Sequence, residues 1–185
     1  VGSEMCIRDS MLTLQFDQNA LKDKNRFELQ ITDENELSGL PESARDAAAM
    51  LAKSKDKNGW LFNLSAPSYI PFMRYSDKRD LREKMYREYM SVGNKGDEFD
   101  NKDIIKKIVN IRLEIAQLMG FKNYAEYALE HTMAKNSANV YKLLNQLLEA
   151  YKPIAINEYN AVEGFALGTE KENITAVSYT HLRAH

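Results

Sequence analysis

The strongest pattern along the chain is a helical repeat of apolar side chains in its second half. Apolar residues recur every three or four positions in residues 76–92, 102–119, 123–133 and 138–152, and a capping residue stands near the start of each run. Glycine or proline follows three of the four runs, as is typical of helix ends. A fifth, alanine-rich run at residues 41–53 begins with a proline, which is favoured in the first helical turn. The sequence therefore predicts five α-helices.

The last of these runs ends at a proline. Beginning at a Ser137 cap, it places six apolar side chains on one face: Val140, Leu143, Leu144, Leu147, Leu148 and Tyr151. Pro153 follows directly. Because proline lacks the amide hydrogen and clashes with the preceding turn, we predict that the helix ends or bends there.

Two short segments have the alternating pattern of β-strands. Residues 27–31 and 60–64 are rich in aromatic and aliphatic side chains and lie on either side of the alanine-rich helix. We expect them to pair into a two-stranded ribbon that lies against helices, because an isolated ribbon is only marginally stable. The predicted fold class is mainly α, with one small two-stranded β element.

The predicted helix at residues 102–119 has a wide apolar surface. Its apolar side chains cover roughly 220° of the circumference, about twice the arc that a helix on the surface of a small domain needs. Such a helix is expected to have neighbours on several sides, and the other predicted helices are too few to supply them. This favours a chain that is part of a larger helical body.

Arg112 lies near the middle of that apolar arc. We expect its guanidinium group to be substantially buried and therefore paired with a carboxylate or with backbone carbonyls. Glu126, Glu130 and Glu149 are candidate partners within the chain, and the rest of a larger protein could also supply one. The alternative is that the long side chain reaches water.

Composition and charge exclude several classes of protein. The 185 residues carry a net charge of −2 with a pI near 6.0, which gives no basic face for nucleic acid. No apolar run approaches the roughly 20 residues of a membrane span. The single cysteine, Cys6, rules out a disulfide framework and fits a reducing, cytoplasmic setting. We therefore expect neither a nucleic-acid nor a membrane partner.

The two ends of the chain differ from its middle. Residues 1–10 and 177–185 share no periodicity with their neighbours and resemble translated sequencing-adapter sequence. We interpret them as adapter-derived tails around a helical segment at residues 11–176; the alternative is that they are genuine, frayed termini. With the tails excluded, His181 and His185 are not candidate ligands.

The middle of the chain contains no recognisable catalytic motif. The zinc-peptidase pattern H-E-x-x-H is absent, and His131 beside Glu130 is more typical of a surface pair than of a metal site. The acidic residues at 96–103 lack the spacing of a calcium loop and favour a helix-capping loop. The sequence therefore indicates no catalytic or metal-binding residues, and it leaves substrate-binding residues unknown.

Several longer blocks carry a family resemblance. They are FDQNALKDKNRFELQITDENELSGLPES, SAPSYIPFMRYSDKRDLREKMYREYM, DNKDIIKKIVNIRLEIAQLMGFKNYAEYALEHTMAK and VYKLLNQLLEAYKPIA. Together they resemble the thimet oligopeptidase family of zinc metallopeptidases over residues 12–166, most closely its peptidyl-dipeptidase and oligopeptidase A branch. Family members are long helical proteins whose two halves flank a deep channel. Their zinc site, H-E-x-x-H with a further glutamate, lies downstream of the region matched here.

The resemblance implies a function for a parent protein. The parent would be a zinc-dependent hydrolase of short peptides in which the metal activates water and the motif glutamate acts as general base. This chain would be an internal segment that forms channel wall, binds no zinc itself and packs against the remainder of the same polypeptide. The alternative is a non-catalytic α-helical interaction module whose apolar stripes bind a partner protein.

Overall fold

The computed structural model describes residues 2–169, and these residues are mainly helical, as predicted. Seven α-helices and two strands form within them, together with a short 3-10 helix at Glu34–Leu37. In chain order the elements are α1 (Gly2–Arg26), β1 (Leu29–Ile31), α2 (Glu42–Ser54), β2 (Trp60–Phe62), α3 (Ala66–Tyr75), α4 (Arg79–Met90), α5 (Lys102–Leu118), α6 (Tyr124–Leu129) and α7 (Ser137–Thr169).

The chain divides into two compact units. Among the described residues, the first unit comprises residues 2–19 and 100–159, and the second comprises residues 20–99 and 160–169. Helices α1 and α7 each contribute to both units. The sheet and helices α2 to α4 belong entirely to the second unit, and α5 and α6 belong to the first.

The second unit is built around an apolar core beneath the two-stranded sheet. The strands are antiparallel and pair Leu29 with Phe62 and Ile31 with Trp60, so the predicted ribbon is confirmed. It packs against helices, as an otherwise marginal ribbon requires. The buried cluster consists of Leu29, Ile31, Leu37, Leu40, Ala48, Phe62, Leu64, Phe72, Met73 and Met85.

Two glycines allow backbone segments of this unit to approach each other closely. Gly39 has a φ of +81°, and a Cβ atom there would stand 2.1 Å from the carbonyl oxygen of Tyr75. Gly59 has a φ of +82°, and its Cβ would stand 2.2 Å from the carbonyl oxygen of Ile31. No L side chain fits such a position, so glycine is required at both.

The observed helix bounds follow the predicted ones most closely where the periodicity is strong. Helices α2 and α5 differ from prediction by at most one residue at each end, whereas α4 and α6 are shorter than predicted. Helix α3 was not predicted, because Pro67 and Pro71 look like helix breakers. Pro67 stands in the first turn, where proline is tolerated, and the burial of Phe72 and Met73 offsets the hydrogen bond lost at Pro71.

Of the two outcomes predicted at Pro153, an end of the helix is wrong, and a bend stays a prediction. Helix α7 continues through Pro153 to Thr169. A proline removes one backbone hydrogen bond, and the residues on either side of Pro153 continue the helix.

Helix α1 also crosses the boundary placed after residue 10, since it begins at Gly2. The adapter origin of residues 1–10 stays a prediction, and residues 177–185 lie outside the described part of the chain.

Candidate functional site

The one histidine of the described residues, His131, lies on the surface beside Glu130. The His131 side chain is 89% exposed, and its Nε2 atom lies 3.6 Å from Oε2 of Glu130. Within residues 2–169, no group of three or more His, Cys, Asp or Glu side chains is placed to hold a metal ion. Because a protein zinc site needs three or four such ligands, the described residues do not fit zinc.

The acidic loop before α5 bonds to the start of that helix through Asp100, although the N-cap residue Asn101 makes no side-chain capping hydrogen bond. Asp100 accepts a hydrogen bond from the amide of Lys102, the first residue of α5, at 2.9 Å. Asp97 accepts one from the amide of Phe99 at 3.1 Å and pairs with the guanidinium group of Arg26. The hydrogen bond from Arg26 lowers the pKa of the Asp97 carboxyl group. These carboxylates therefore have local partners.

A fully buried carboxylate ties α1 to the connection after α4. Oδ2 of Asp23 accepts a hydrogen bond from the amide of Gly93 at 2.7 Å. Its Oδ1 lies 2.7 Å from Nε of Arg26 and 3.2 Å from Nζ of Lys95. Burial lowers the pKa of Lys95, but its hydrogen bonds to Glu88 and Asp23 outweigh that effect and raise it. This network could not be predicted from the sequence, because Asp23 resembles any surface acid there.

Arg112 on α5 is paired, but with a different residue from those expected. Its Nε and Nη2 atoms lie 2.9 and 3.3 Å from the two carboxylate oxygens of Asp9, and the hydrogen bond to Asp9 raises its pKa. The guanidinium carbon also lies 5.4 Å from the centre of the Tyr124 ring. The predicted carboxylate pairing is confirmed, but the predicted glutamate partners are wrong, because α1 lies beside α5.

The burial expected of Arg112 is only partial, since its side chain remains 35% exposed. Much of the apolar surface of α5 is open to solvent too. Four of its large apolar side chains are 39–59% exposed: Ile105, Val109, Leu113 and Leu118. The neighbours that the wide apolar arc requires are therefore not supplied by the described residues.

A groove of about 650 Å³ runs between α1 and α5 in the first unit. It is lined by apolar side chains, by amide side chains and by charged groups of both signs. The lining residues are Arg8, Met11, Leu12, Leu14, Gln15, Gln18, Lys107, Asn110, Ile111 and Glu114. This lining offers hydrogen-bond donors and acceptors beside apolar contact surface, which suits binding; it includes neither a serine nor a cysteine nor a histidine.

Within the first unit, helix α7 carries a row of exposed large apolar side chains. Six of its side chains, which we call the α7 apolar face, are 43–62% exposed: Leu143, Leu144, Leu147, Leu148, Tyr151 and Ile154. Monomeric proteins seldom leave a contiguous surface of this kind open, and such surfaces usually mark an interaction site.

Residues 72–179 match the family model described as Peptidase family M3. The chain belongs to peptidase family M3. It is 39% identical over 173 residues to oligopeptidase A of Haemophilus influenzae, a match that covers 91% of this chain and 25% of that protein. It is 38% identical over 167 residues to oligopeptidase A of Escherichia coli, which covers 88% of this chain and 25% of the relative.

A more distant M3 relative is dipeptidyl carboxypeptidase of Escherichia coli, which is 29% identical over 153 residues, covering 82% of this chain and 22% of that protein. The chain therefore spans about a quarter of the length of the curated relatives it matches. The family resemblance read from the sequence blocks is confirmed.

In the part of the chain that the structure describes, none of the helices is both long and apolar enough to cross a membrane.

Proposed function

We propose that this chain is a segment of a zinc-dependent oligopeptidase that hydrolyses short peptides. In this proposal it contributes helical wall to a substrate channel and packs against the remainder of the same polypeptide. The observation that carries the proposal is the 38–39% identity to two oligopeptidases A over about nine-tenths of the chain. The described residues do not fit a zinc site, so the metal ligands would belong to other parts of the parent.

The groove between α1 and α5 supports a role in the wall. An extended peptide presents backbone N–H and C=O groups that need hydrogen-bond partners, and it presents side chains that need apolar contact. Gln15, Gln18 and Asn110 provide amide donors and acceptors, and Met11 and Ile111 provide apolar surface beside them. Such a surface can hold a peptide without taking part in bond cleavage.

Assays of the isolated chain test the part of the proposal that places the zinc ligands elsewhere in the parent. We expect the purified 185-residue chain to retain well under one zinc ion per molecule after dialysis, because its described residues form no ligand set. We also expect no cleavage of a fluorogenic oligopeptide. Peptide turnover that a chelator abolishes would contradict this part of the proposal.

A chimera tests the part of the proposal that makes this chain a segment of an oligopeptidase. The host is oligopeptidase A of Haemophilus influenzae. Its segment that matches this chain would be replaced by residues 11–176 of this chain. We expect the chimera to cleave the fluorogenic peptide in a chelator-sensitive reaction, whereas the same host with the segment deleted should not. A chimera with a cooperative melting transition but no peptide cleavage would contradict the proposed function and favour the non-catalytic interaction module.

A further inference from the structure

The α7 apolar face covers a wider arc than the apolar stripe with which one helix contacts a single partner helix. At 100° per residue, Leu147 and Tyr151 lie near its centre, Leu143 and Ile154 lie on one side, and Leu144 and Leu148 lie on the other. With Ala150 and Ala155 included, the uncharged arc covers roughly half of the circumference. Contact with a single partner helix requires a narrower apolar stripe.

The positions that flank the centre of this face are apolar as well. In a two-stranded coiled coil, the flanking positions often carry Glu and Lys, which form salt bridges between the helices. On α7 these positions are Leu143, Leu148, Ala150 and Ala155. Contact with one partner helix would leave this flanking surface in water, so two neighbouring helices are needed to cover it.

The neighbours are not found among the described residues, where the face is 43–62% exposed. The relatives, however, are about four times as long as this chain. We propose that the α7 apolar face is an internal docking surface, covered by two apolar helices from the remaining part of an M3 peptidase. This inference rests on the proposed function, because it needs a parent chain to supply those helices.

Thiol labelling can measure whether the face becomes covered. In a Cys6→Ser background, Leu147→Cys places the one thiol of the chain in the centre of the face, and Asn145→Cys places it on the opposite side of α7. Both positions are exposed in the chain described here. Each variant would be labelled with a maleimide reagent in the isolated chain and in the chimera, with the host cysteines replaced by serine.

We expect the Leu147→Cys thiol to react quickly in the isolated chain and at least about tenfold more slowly in the chimera, where burial limits access. The Asn145→Cys thiol should react at similar rates in both. In the same chimera, Leu147→Glu should lower the melting temperature, and Asn145→Glu should leave it nearly unchanged. Equal labelling of Leu147→Cys in the two contexts would overturn the inference, even if the chimera cleaves peptide.

Two further results would also overturn it. One is a homogeneous dimer of the isolated chain in which the Leu147→Cys thiol is already protected, since the occupant would then be a second copy. The other is a chimera without a cooperative melting transition, because a host 39% identical over this segment should accept a correctly assigned interface. A chimera that protects Leu147→Cys but cleaves no peptide would leave the inference standing and contradict the proposed function.

Discussion

At the residue scale, the pairing of Arg112 with Asp9 shows how a charge on an apolar helix face is accommodated. The guanidinium group binds both carboxylate oxygens and lies over the Tyr124 ring, yet about a third of the side chain stays in water. Solvent screening weakens such a pair in comparison with a fully buried one. Its contribution to stability should therefore be moderate.

Arg112→Ala should lower the free energy of unfolding by about 1 kcal/mol, and not by the roughly 3 kcal/mol expected for a fully buried pair. Asp9→Asn should remove much of the same interaction. Urea denaturation of the wild type, both single variants and the double variant then gives the coupling energy between the two residues. Lys106→Ala is a suitable control, because Lys106 is 76% exposed and pairs with the exposed Asp103. A coupling energy near zero would contradict the pairing.

Glu28 makes stability depend on pH. Hydrogen bonds from Lys55 and then Lys57 lower the pKa of its carboxyl group below the ordinary value of 4.5. A carboxyl group with a lowered pKa in the folded state stabilises the fold fully above its ordinary pKa. That stabilisation is lost as the pH falls below this value and through the lowered one.

Glu28→Gln should therefore be less stable than the wild type near pH 7, and the difference should shrink as the pH is lowered below about 4. Chemical denaturation of both proteins across this range measures the difference. About 1 M salt at neutral pH should also reduce it, because these side chains are partly exposed. A difference that stays constant down to pH 3 would count against this role for Glu28.

At the element scale, the sequence predicted helices best where the apolar repeat was regular and the ends were marked. Helix α5 satisfies both conditions, and the proline at residue 41 marks the start of α2. Helix α3 was missed because two prolines masked it, and its formation depends on the burial of Phe72 and Met73 in a core that is assembled from distant residues. Local propensity cannot indicate such a contribution.

Helix α1 was missed for a different reason. Ile7, Met11, Leu14 and Leu21 have helical spacing, but the interpretation of residues 1–10 as a tail divided this pattern between two segments. The same omission explains the wrong partner for Arg112, because Asp9 lies on α1. It also explains why the groove between α1 and α5 was not predicted.

Gly39 is required in the turn before α2 for two reasons, and comparison with Gly96 can distinguish their contributions to stability. Gly39 has a positive φ and also lies against the carbonyl oxygen of Tyr75, whereas Gly96 has a φ of +72° with open space around it. Gly39→Ala should destabilise the fold by about 3 kcal/mol or more, and Gly96→Ala by about 1 kcal/mol. Thermal and urea denaturation would measure both. Equal losses would mean that the close approach to Tyr75 contributes nothing.

At the scale of the whole molecule, the two units differ in how much apolar surface they bury. The second unit contains the continuous core around the sheet. In the described part of the first unit, the buried apolar residues are Ile104, Ile111 and Ala116. The first unit should therefore have the lower local stability, since few apolar contacts hold it.

The candidate site could be predicted from the sequence only in part. The family could be recognised, because ordered blocks of residues carry that information along the chain. The groove and the Arg112–Asp9 pair join residues about 100 positions apart, so they depend on the packing of α1 beside α5. The α7 apolar face was predicted as a stripe, but the degree to which it is exposed follows from which helices are present around it.

The exposure of that face has a consequence for the fate of the chain in a cell. Chaperones and quality-control proteases recognise persistent apolar surface, and changes of one or two kcal/mol in stability alter protein abundance several-fold. Under the proposal that the rest of an M3 peptidase covers this face, the chain made alone should spend more time bound to chaperones and be degraded sooner. Its half-life in the cell would then show whether the covering helices are present.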